Sequence, residues 1–211
     1  VVGLVVHVGP VQCEGGLDAL KFMVDTLKDG TTNPHSTEYL EEDVRRVFSS
    51  GQAAFALNWT YMYDQANNNA KESQVTGQVG VMAPPGVEGK STVSTVNGAM
   101  GLGIPSGSKN QDAAWTYISY LASPEVEAKY ATSAPSIWKS YYEDPAVKNG
   151  PNASLLEAQA KSFAALFARP FVVDYQQFST RLQQALQQAL LDQASAEDAL
   201  KSAASDLASG G

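Results

Sequence analysis

The apolar positions of this chain change their spacing several times, and each change predicts a different element. Between 17 and 29 they recur every three or four residues, which is typical of one face of an α-helix, and Gly30 stands where such a helix would stop. The same spacing predicts a second helix over 37–49. Short apolar runs bounded by glycine or proline predict strands instead. These runs lie at 1–8, 53–59, 78–82 and 92–104.

Helical spacing dominates the second half of the chain. Ser123 and Pro124 predict a helix start, because serine caps free backbone N–H groups and proline is tolerated at the first helical position. Three apolar stripes predict helices around them. They are Trp115, Ile118 and Leu121; Phe178, Leu182, Ala185, Leu186 and Ala189; and Ala199, Leu200, Ala203 and Leu207. Strands separated by helices, followed by a helical second half, indicate an α/β fold.

Composition and charge narrow the possible partners. The chain has 211 residues, of which 44% are hydrophobic, so it can bury a core. Its formal net charge of −8 repels nucleic acids and anionic membrane surfaces, and we expect no nucleic-acid partner. No apolar run is long enough to span a bilayer.

Signatures of catalysis and metal binding are missing from the sequence. One cysteine, Cys13, and two histidines exclude an internal disulfide and a three-histidine zinc site. No nucleophile elbow, zinc-protease motif or phosphate-binding loop occurs. We therefore expect no catalytic residue, metal or cofactor, although a glycosidase pair of carboxylates distant in sequence stays open. Glu41 and Glu42 are expected to be solvated on an exposed helix face.

An aromatic cluster is the most informative feature for binding. Asn58, Trp59, Tyr61 and Tyr63 follow one another where a predicted strand gives way to a helix. Neutral sugars present apolar C–H faces and hydroxyl groups, so their sites need a flat aromatic ring and planar polar groups. The other interpretation is that these aromatic side chains fill the core beneath the helix.

Four segments in order resemble a known family, the extracellular solute-binding proteins of family 1, which are the maltose/trehalose-type receptors of ABC importers. The first is GQAAFALNWTYMYDQAN at 51–67, and the second, containing VNGAMGLGIPSGSKNQDAAWTYISYLASPE, spans 77–131. APSIWKSYYEDPAV at 134–147 and the segment beginning ARPFVVDYQQFS at 168–204 complete the series. Each motif is loose, but their shared order and spacing are specific.

The resemblance implies a type II periplasmic-binding-protein-like fold with two α/β lobes and a ligand held between them. On this basis 1–95 and 135–211 form the carboxy-terminal, sugar-binding lobe. Residues 96–134 are then a crossing segment with helices that belong to or face the amino-terminal lobe. The family's receptors are nearly twice as long, so the resemblance also implies that the amino-terminal lobe is otherwise absent from this chain.

The resemblance carries over a set of ligand-binding candidates. Trp59 and Tyr61 match the aromatic pair that lines the sugar site, and Tyr175 is assigned equally to pocket or core. Met100 stands where the family often has a tryptophan, which removes one stacking wall. The full set is Asn58, Trp59, Tyr61, Asn97, Gly98, Arg169, Glu14 and Tyr175.

The function implied is that of a non-enzymatic substrate-binding component, which binds a mono- or oligosaccharide and delivers it to the permease subunits of an ABC importer. Its expected location is extracellular or periplasmic, with membrane attachment only through the lipid anchor of a parent lipoprotein. Two alternatives stay open: a carbohydrate-active enzyme or its accessory domain, and a receptor of the same family with a non-sugar ligand such as a polyamine or a metal chelate.

Overall fold

The computed structural model describes residues 14–89 and 91–209. This part of the chain divides into two compact units. The first unit joins the described residues up to Leu40 to those from Phe167 onward, and the second is Glu41–Leu166. The predicted division into a lobe of 1–95 with 135–211 and a crossing segment of 96–134 uses other boundaries and stays a prediction.

Helices are the main regular structure of the described chain. In order they are α1 (Glu14–Lys28), α2 (Glu41–Ser49), α3 (Tyr61–Tyr63), α4 (Gln111–Leu121), α5 (Pro124–Tyr130), α6 (Lys139–Glu143), α7 (Pro145–Lys148), α8 (Ala153–Ala164), α9 (Tyr175–Leu190) and α10 (Ala196–Ser209). A 3₁₀ turn at Pro34–Thr37 precedes α2, and a π-helical turn at Asp64–Asn68 continues α3. The strands are β1 (Thr95–Val96) and β2 (Leu166–Phe167), which pair in a two-stranded sheet.

The first unit is built on the contacts of three helices. Leu20 of α1 is 1% exposed and packs with Ala185 and Ala189 of α9 and with Ala199 and Ala203 of α10. Small alanine side chains allow the helices to approach closely around one leucine. The apolar spacing of all three helices is therefore confirmed as the pattern of a buried face.

The second unit buries apolar side chains of its own. They include Val126 of α5, Leu155 and Leu156 of α8, and Met62 and Tyr63 of α3. Within this unit Ser123 starts α5 as predicted, with its Oγ accepting from the Val126 N–H at 3.4 Å and Pro124 at the first helical position.

The predicted strands are the main error in the fold. No strand forms at 53–59 or 78–82, and of 92–104 only Thr95–Val96 is a strand. A strand needs a partner for its backbone hydrogen bonds, and the described chain offers none to these runs. Phe55 is 89% exposed, so its apolar character reflects no packing within the described part of the chain. The strand predicted at 1–8 lies outside the described residues, as do Cys13 and His7.

The second predicted helix begins later than expected. It starts at Glu41 rather than at 37, because the residues before it form a separate 3₁₀ turn that begins at Pro34. Asn33 caps that turn by accepting a hydrogen bond from the His35 N–H at 3.0 Å. The helix therefore opens with three carboxylates, Glu41, Glu42 and Asp43, in its first turn.

Candidate functional site

The aromatic pair Trp59 and Tyr61 meets the first turn of α2. The indole Nε1 of Trp59 donates a hydrogen bond to Glu41 Oε1 at 3.4 Å. The hydroxyl of Tyr61 donates to Glu42 Oε1 at 2.7 Å. Two consecutive carboxylates therefore each accept from one of the two aromatic side chains. We call these four residues the aromatic–acid cluster.

Asn58 ties the backbone of this region together. Its Nδ2 donates to the carbonyl oxygen of Glu41 at 2.9 Å, and its Oδ1 accepts from the Trp59 N–H at 2.7 Å. Nδ2 also lies 3.2 Å from the sulfur of Met62. Both ends of the Asn58 amide are thus hydrogen-bonded within the protein, and its role in ligand binding stays a prediction.

Glu42 belongs to a longer chain of charged contacts. Besides the hydrogen bond from Tyr61, Glu42 accepts one from Arg45 Nε at 2.8 Å. Arg45 Nη1 in turn contacts Glu72 Oε2 at 3.3 Å. The hydrogen bond from Tyr61, and then that from Arg45, lower the pKa of Glu42 below its ordinary value. Burial, followed by the hydrogen bond to Glu42, raises the pKa of Tyr61 to about 12. Tyr61 is thus a neutral hydroxyl and Glu42 a charged acceptor at neutral pH.

Exposure separates Trp59 from the buried side chains beside it. Trp59 is 52% exposed, whereas Met62 and Tyr63 are each 8% exposed. The interpretation that the aromatic side chains of this segment fill the core therefore holds for Tyr63 and not for Trp59. An indole with one polar edge held and half its surface open is suited to stacking against an apolar face.

Asn97 and Gly98 directly follow β1 in the same unit. Asn97 is exposed, and its Oδ1 accepts from the Ala99 N–H at 3.0 Å. Met100, which replaces the tryptophan expected from the resemblance, is 99% exposed. The role of these residues in ligand binding stays a prediction.

Arg169 and Tyr175 lie in the first unit. The guanidinium carbon of Arg169 stands 5.9 Å from the centre of the Tyr175 ring, within range of a cation–π contact. The Tyr175 ring also lies 6.1 Å from that of Phe178, which is buried. Tyr175 thus borders the core on one side and a cation on the other. The side chain of Glu14 is outside the described part of the structure.

Glu41 and Glu42 are the site residues that sequence reasoning missed. Both are exposed, as predicted, but each also holds an aromatic side chain, which a purely solvated face would not do. Their position at the start of a helix gave no signal by itself, because acidic residues favour helix starts for electrostatic reasons. Within the described residues no cluster of histidine, cysteine, aspartate or glutamate could hold a metal ion. No described helix has the length and apolar character required to cross a bilayer.

Known proteins resemble this chain along most of its length. A probable ABC transporter-binding protein of Deinococcus radiodurans is 30% identical over 187 residues, which cover 85% of this chain and 43% of the relative. A maltose-bound MalE3 of T. maritima is 31% identical and covers 97% of this chain and 51% of its own, with a TM-score of 0.77. A solute-binding protein of Thermotoga lettingae bound to α-D-tagatose is 26% identical, with 94% and 48% coverage and a TM-score of 0.70.

These likenesses confirm the predicted fold class, a type II periplasmic-binding-protein-like fold. The chain spans about half the length of the structures it matches and less than half of the curated relative. The relatives are binding proteins of ABC transporters and not enzymes, in agreement with the prediction. The profile of the bacterial extracellular solute-binding proteins matches residues 13–128, and the chain belongs to that family.

Proposed function

We propose that this chain supplies part of a carbohydrate site in the binding protein of an ABC importer, with Trp59 as its stacking surface. The observation that carries the proposal is the half-exposed Trp59 indole, whose N–H edge is held by Glu41. A held edge leaves the ring surface available, and aromatic surfaces pack well against the C–H faces of sugars. A separate contribution of Arg169 is proposed from the resemblance alone, because its planar guanidinium suits neighbouring hydroxyl groups.

The ligands of related proteins support a sugar or polyol. The structures at 31% and 26% identity are complexes with maltose and α-D-tagatose. Both ligands are neutral and rich in hydroxyl groups, which matches an aromatic surface bordered by hydrogen-bonding groups. Delivery to permease subunits, an extracellular or periplasmic location and a lipid anchor are proposed from family membership.

A cationic ligand is the second candidate. Glu41 places a carboxylate at the edge of the Trp59 indole, and a carboxylate beside an aromatic ring also suits an ammonium group. Glu42 is less available for such a role, because Tyr61 and Arg45 already contact it.

Ligand-observed saturation-transfer NMR and calorimetry on the 211-residue chain test both candidates. The panel contains maltose, α-D-tagatose, D-mannitol and spermidine at up to millimolar concentrations. Stacking on one tryptophan contributes on the order of 1–3 kcal/mol, so Trp59→Ala should weaken sugar binding by roughly 10- to 100-fold. The melting temperature should change by only a few degrees, because Trp59 is half exposed.

Trp115→Ala is the matched control, since Trp115 is an exposed tryptophan on α4. It should leave sugar binding unchanged. If Trp59→Ala binds as tightly as the parent but melts far lower, Trp59 is a packing residue and the proposal fails. If the chain binds spermidine but none of the sugars, the cationic ligand replaces the sugar as the proposed ligand.

A further inference from the structure

We propose that Glu41 is a positioning residue, which fixes the orientation of the Trp59 indole through its carboxylate while its backbone carbonyl fixes Asn58. This inference rests on the proposed function, because it explains how the stacking surface is held. It assigns a role to a residue that the sequence predicted to be only solvated.

The central observation is that two consecutive residues contact the same glutamate. Asn58 Nδ2 donates to the Glu41 carbonyl oxygen at 2.9 Å, and Trp59 Nε1 donates to Glu41 Oε1 at 3.4 Å. The second bond is longer than most hydrogen bonds between nitrogen and oxygen. The shorter bond from the Asn58 side chain adds a second link between Glu41 and the residue that precedes Trp59. Asn58 completes the link by accepting from the Trp59 N–H at 2.7 Å.

Glu42, the next residue, holds the side chain of Tyr61 in a similar way. Glu42 Oε1 accepts from the Tyr61 hydroxyl at 2.7 Å and is itself oriented by Arg45. The two acceptors are adjacent in sequence, and the two donors are two residues apart. The first turn of α2 thus fixes the polar ends of both side chains in the aromatic–acid cluster.

A general electrostatic role of acidic residues at a helix start is the competing explanation. It depends on charge and not on any particular aromatic partner. Asp43 belongs to the same turn and pairs with Arg46 at 2.9 Å. Asp43→Asn therefore removes the same charge from the same turn. Glu41→Gln also removes the charge but keeps an oxygen that accepts from the indole, whereas Glu41→Ala removes the acceptor.

The first readout needs no ligand. The indole N–H of Trp59 gives a resolved signal in ¹H–¹⁵N spectra, assigned with Trp59→Phe. We expect Glu41→Ala to shift this signal and to increase its solvent exchange by at least threefold. Glu41→Gln should restore most of the parent behaviour, and Asp43→Asn should leave the signal in place. Far-UV circular dichroism verifies that each variant is folded.

The second readout is sugar binding. Glu41→Ala should weaken binding by about three- to tenfold, and Glu41→Gln should stay within twofold of the parent. If Glu41→Ala leaves the Trp59 signal unchanged, or if Glu41→Gln and Asp43→Asn perturb it as strongly as Glu41→Ala, the positioning role is wrong. A shifted indole signal in a chain that binds no sugar would support positioning and refute the proposed function, so the two failures are distinguishable.

Discussion

The hydrogen bond between Tyr61 and Glu42 changes the titration of both side chains. The tyrosine hydroxyl stabilises the charged carboxylate, which lowers the pKa of Glu42, and the carboxylate together with burial raises the pKa of Tyr61 to about 12. A carboxylate whose pKa is lower in the folded state stabilises the fold above its unfolded pKa. That stabilisation disappears as the pH falls through the folded value.

Replacing Tyr61 by phenylalanine should therefore raise the pKa of Glu42 toward its ordinary value of 4.5. The free energy of unfolding should also fall less in the variant than in the parent as the pH drops below that value. Without the Tyr61 hydroxyl, the Glu42 carboxylate contributes less stabilisation that protonation could remove. Carboxyl-carbon NMR titration of Glu42 and urea unfolding at several acid pH values measure the two effects. Tyr117→Phe, at an exposed tyrosine on α4, is the control. An unchanged Glu42 titration in Tyr61→Phe would contradict this account.

At the same scale, sequence identified one half of the aromatic–acid cluster and missed the other. Asn58, Trp59 and Tyr61 are close in sequence, and their chemical character alone suggests a binding surface. Glu41 and Glu42 are 17 to 19 residues earlier than their partners, and their pairing depends on how the intervening chain returns to the start of α2. Neither the spacing nor the composition of the sequence predicts the course of that intervening chain.

At the scale of elements, the packing of α1, α9 and α10 depends strongly on one side chain. Leu20 is 1% exposed and packs with buried alanines of the other two helices, with Leu186 and Leu200 partly buried against the same cluster. We expect a cavity after truncation, because alanines cannot extend into the space that the leucine leaves. The apolar faces of α1, α9 and α10 thus meet in one core.

Leu20→Ala should lower the free energy of unfolding by about 2–5 kcal/mol, the range for truncating a buried leucine to alanine. Urea denaturation monitored by circular dichroism measures this loss. Lys21→Ala, at the adjacent exposed position of α1, should change stability by less than about 0.5 kcal/mol. A loss below 1 kcal/mol for Leu20→Ala would show that this core relaxes around the missing atoms.

The helices were predicted far better than the strands, and the reason is physical. A helix satisfies its backbone within the segment, so the spacing of apolar residues and signals such as Ser123–Pro124 or Gly30 are enough to locate it. A strand is completed only by another strand. The apolar runs at 53–59 and 78–82 find no such partner in the described chain, and their composition does not reveal this.

At the scale of the whole molecule, exposed aromatic side chains coexist with a strongly negative charge. Trp115, Tyr117 and Tyr120 on α4 are between 61% and 64% exposed, while Ile118 and Leu121 are partly buried. The predicted apolar stripe of this helix is therefore covered only in part. The net charge of −8 opposes contact between copies at low ionic strength, where repulsion is long-range.

We expect the chain to be monomeric in dilute salt and to self-associate as salt screens that repulsion, because exposed apolar surface favours contact. Sedimentation velocity at 0.05 and 0.5 M NaCl, over a range of protein concentrations, measures this change. Trp115→Glu should reduce association at high salt. Ser119→Glu adds the same charge to α4 without removing a ring and should have a smaller effect. A parent chain that stays monomeric at both salt concentrations would refute the expectation.

The short sequence separation within the aromatic–acid cluster has a consequence for the energetics of recognition. The contacts of Glu41 and Glu42 close loops of fewer than twenty residues, which cost less entropy to close than longer loops. We expect the indole and phenol side chains to become ordered when the second unit folds, before any ligand arrives. The entropy that these side chains lose on becoming ordered is then a cost of folding and not of ligand binding. Such preorganisation allows a small contact area to bind more tightly than a mobile surface of equal size.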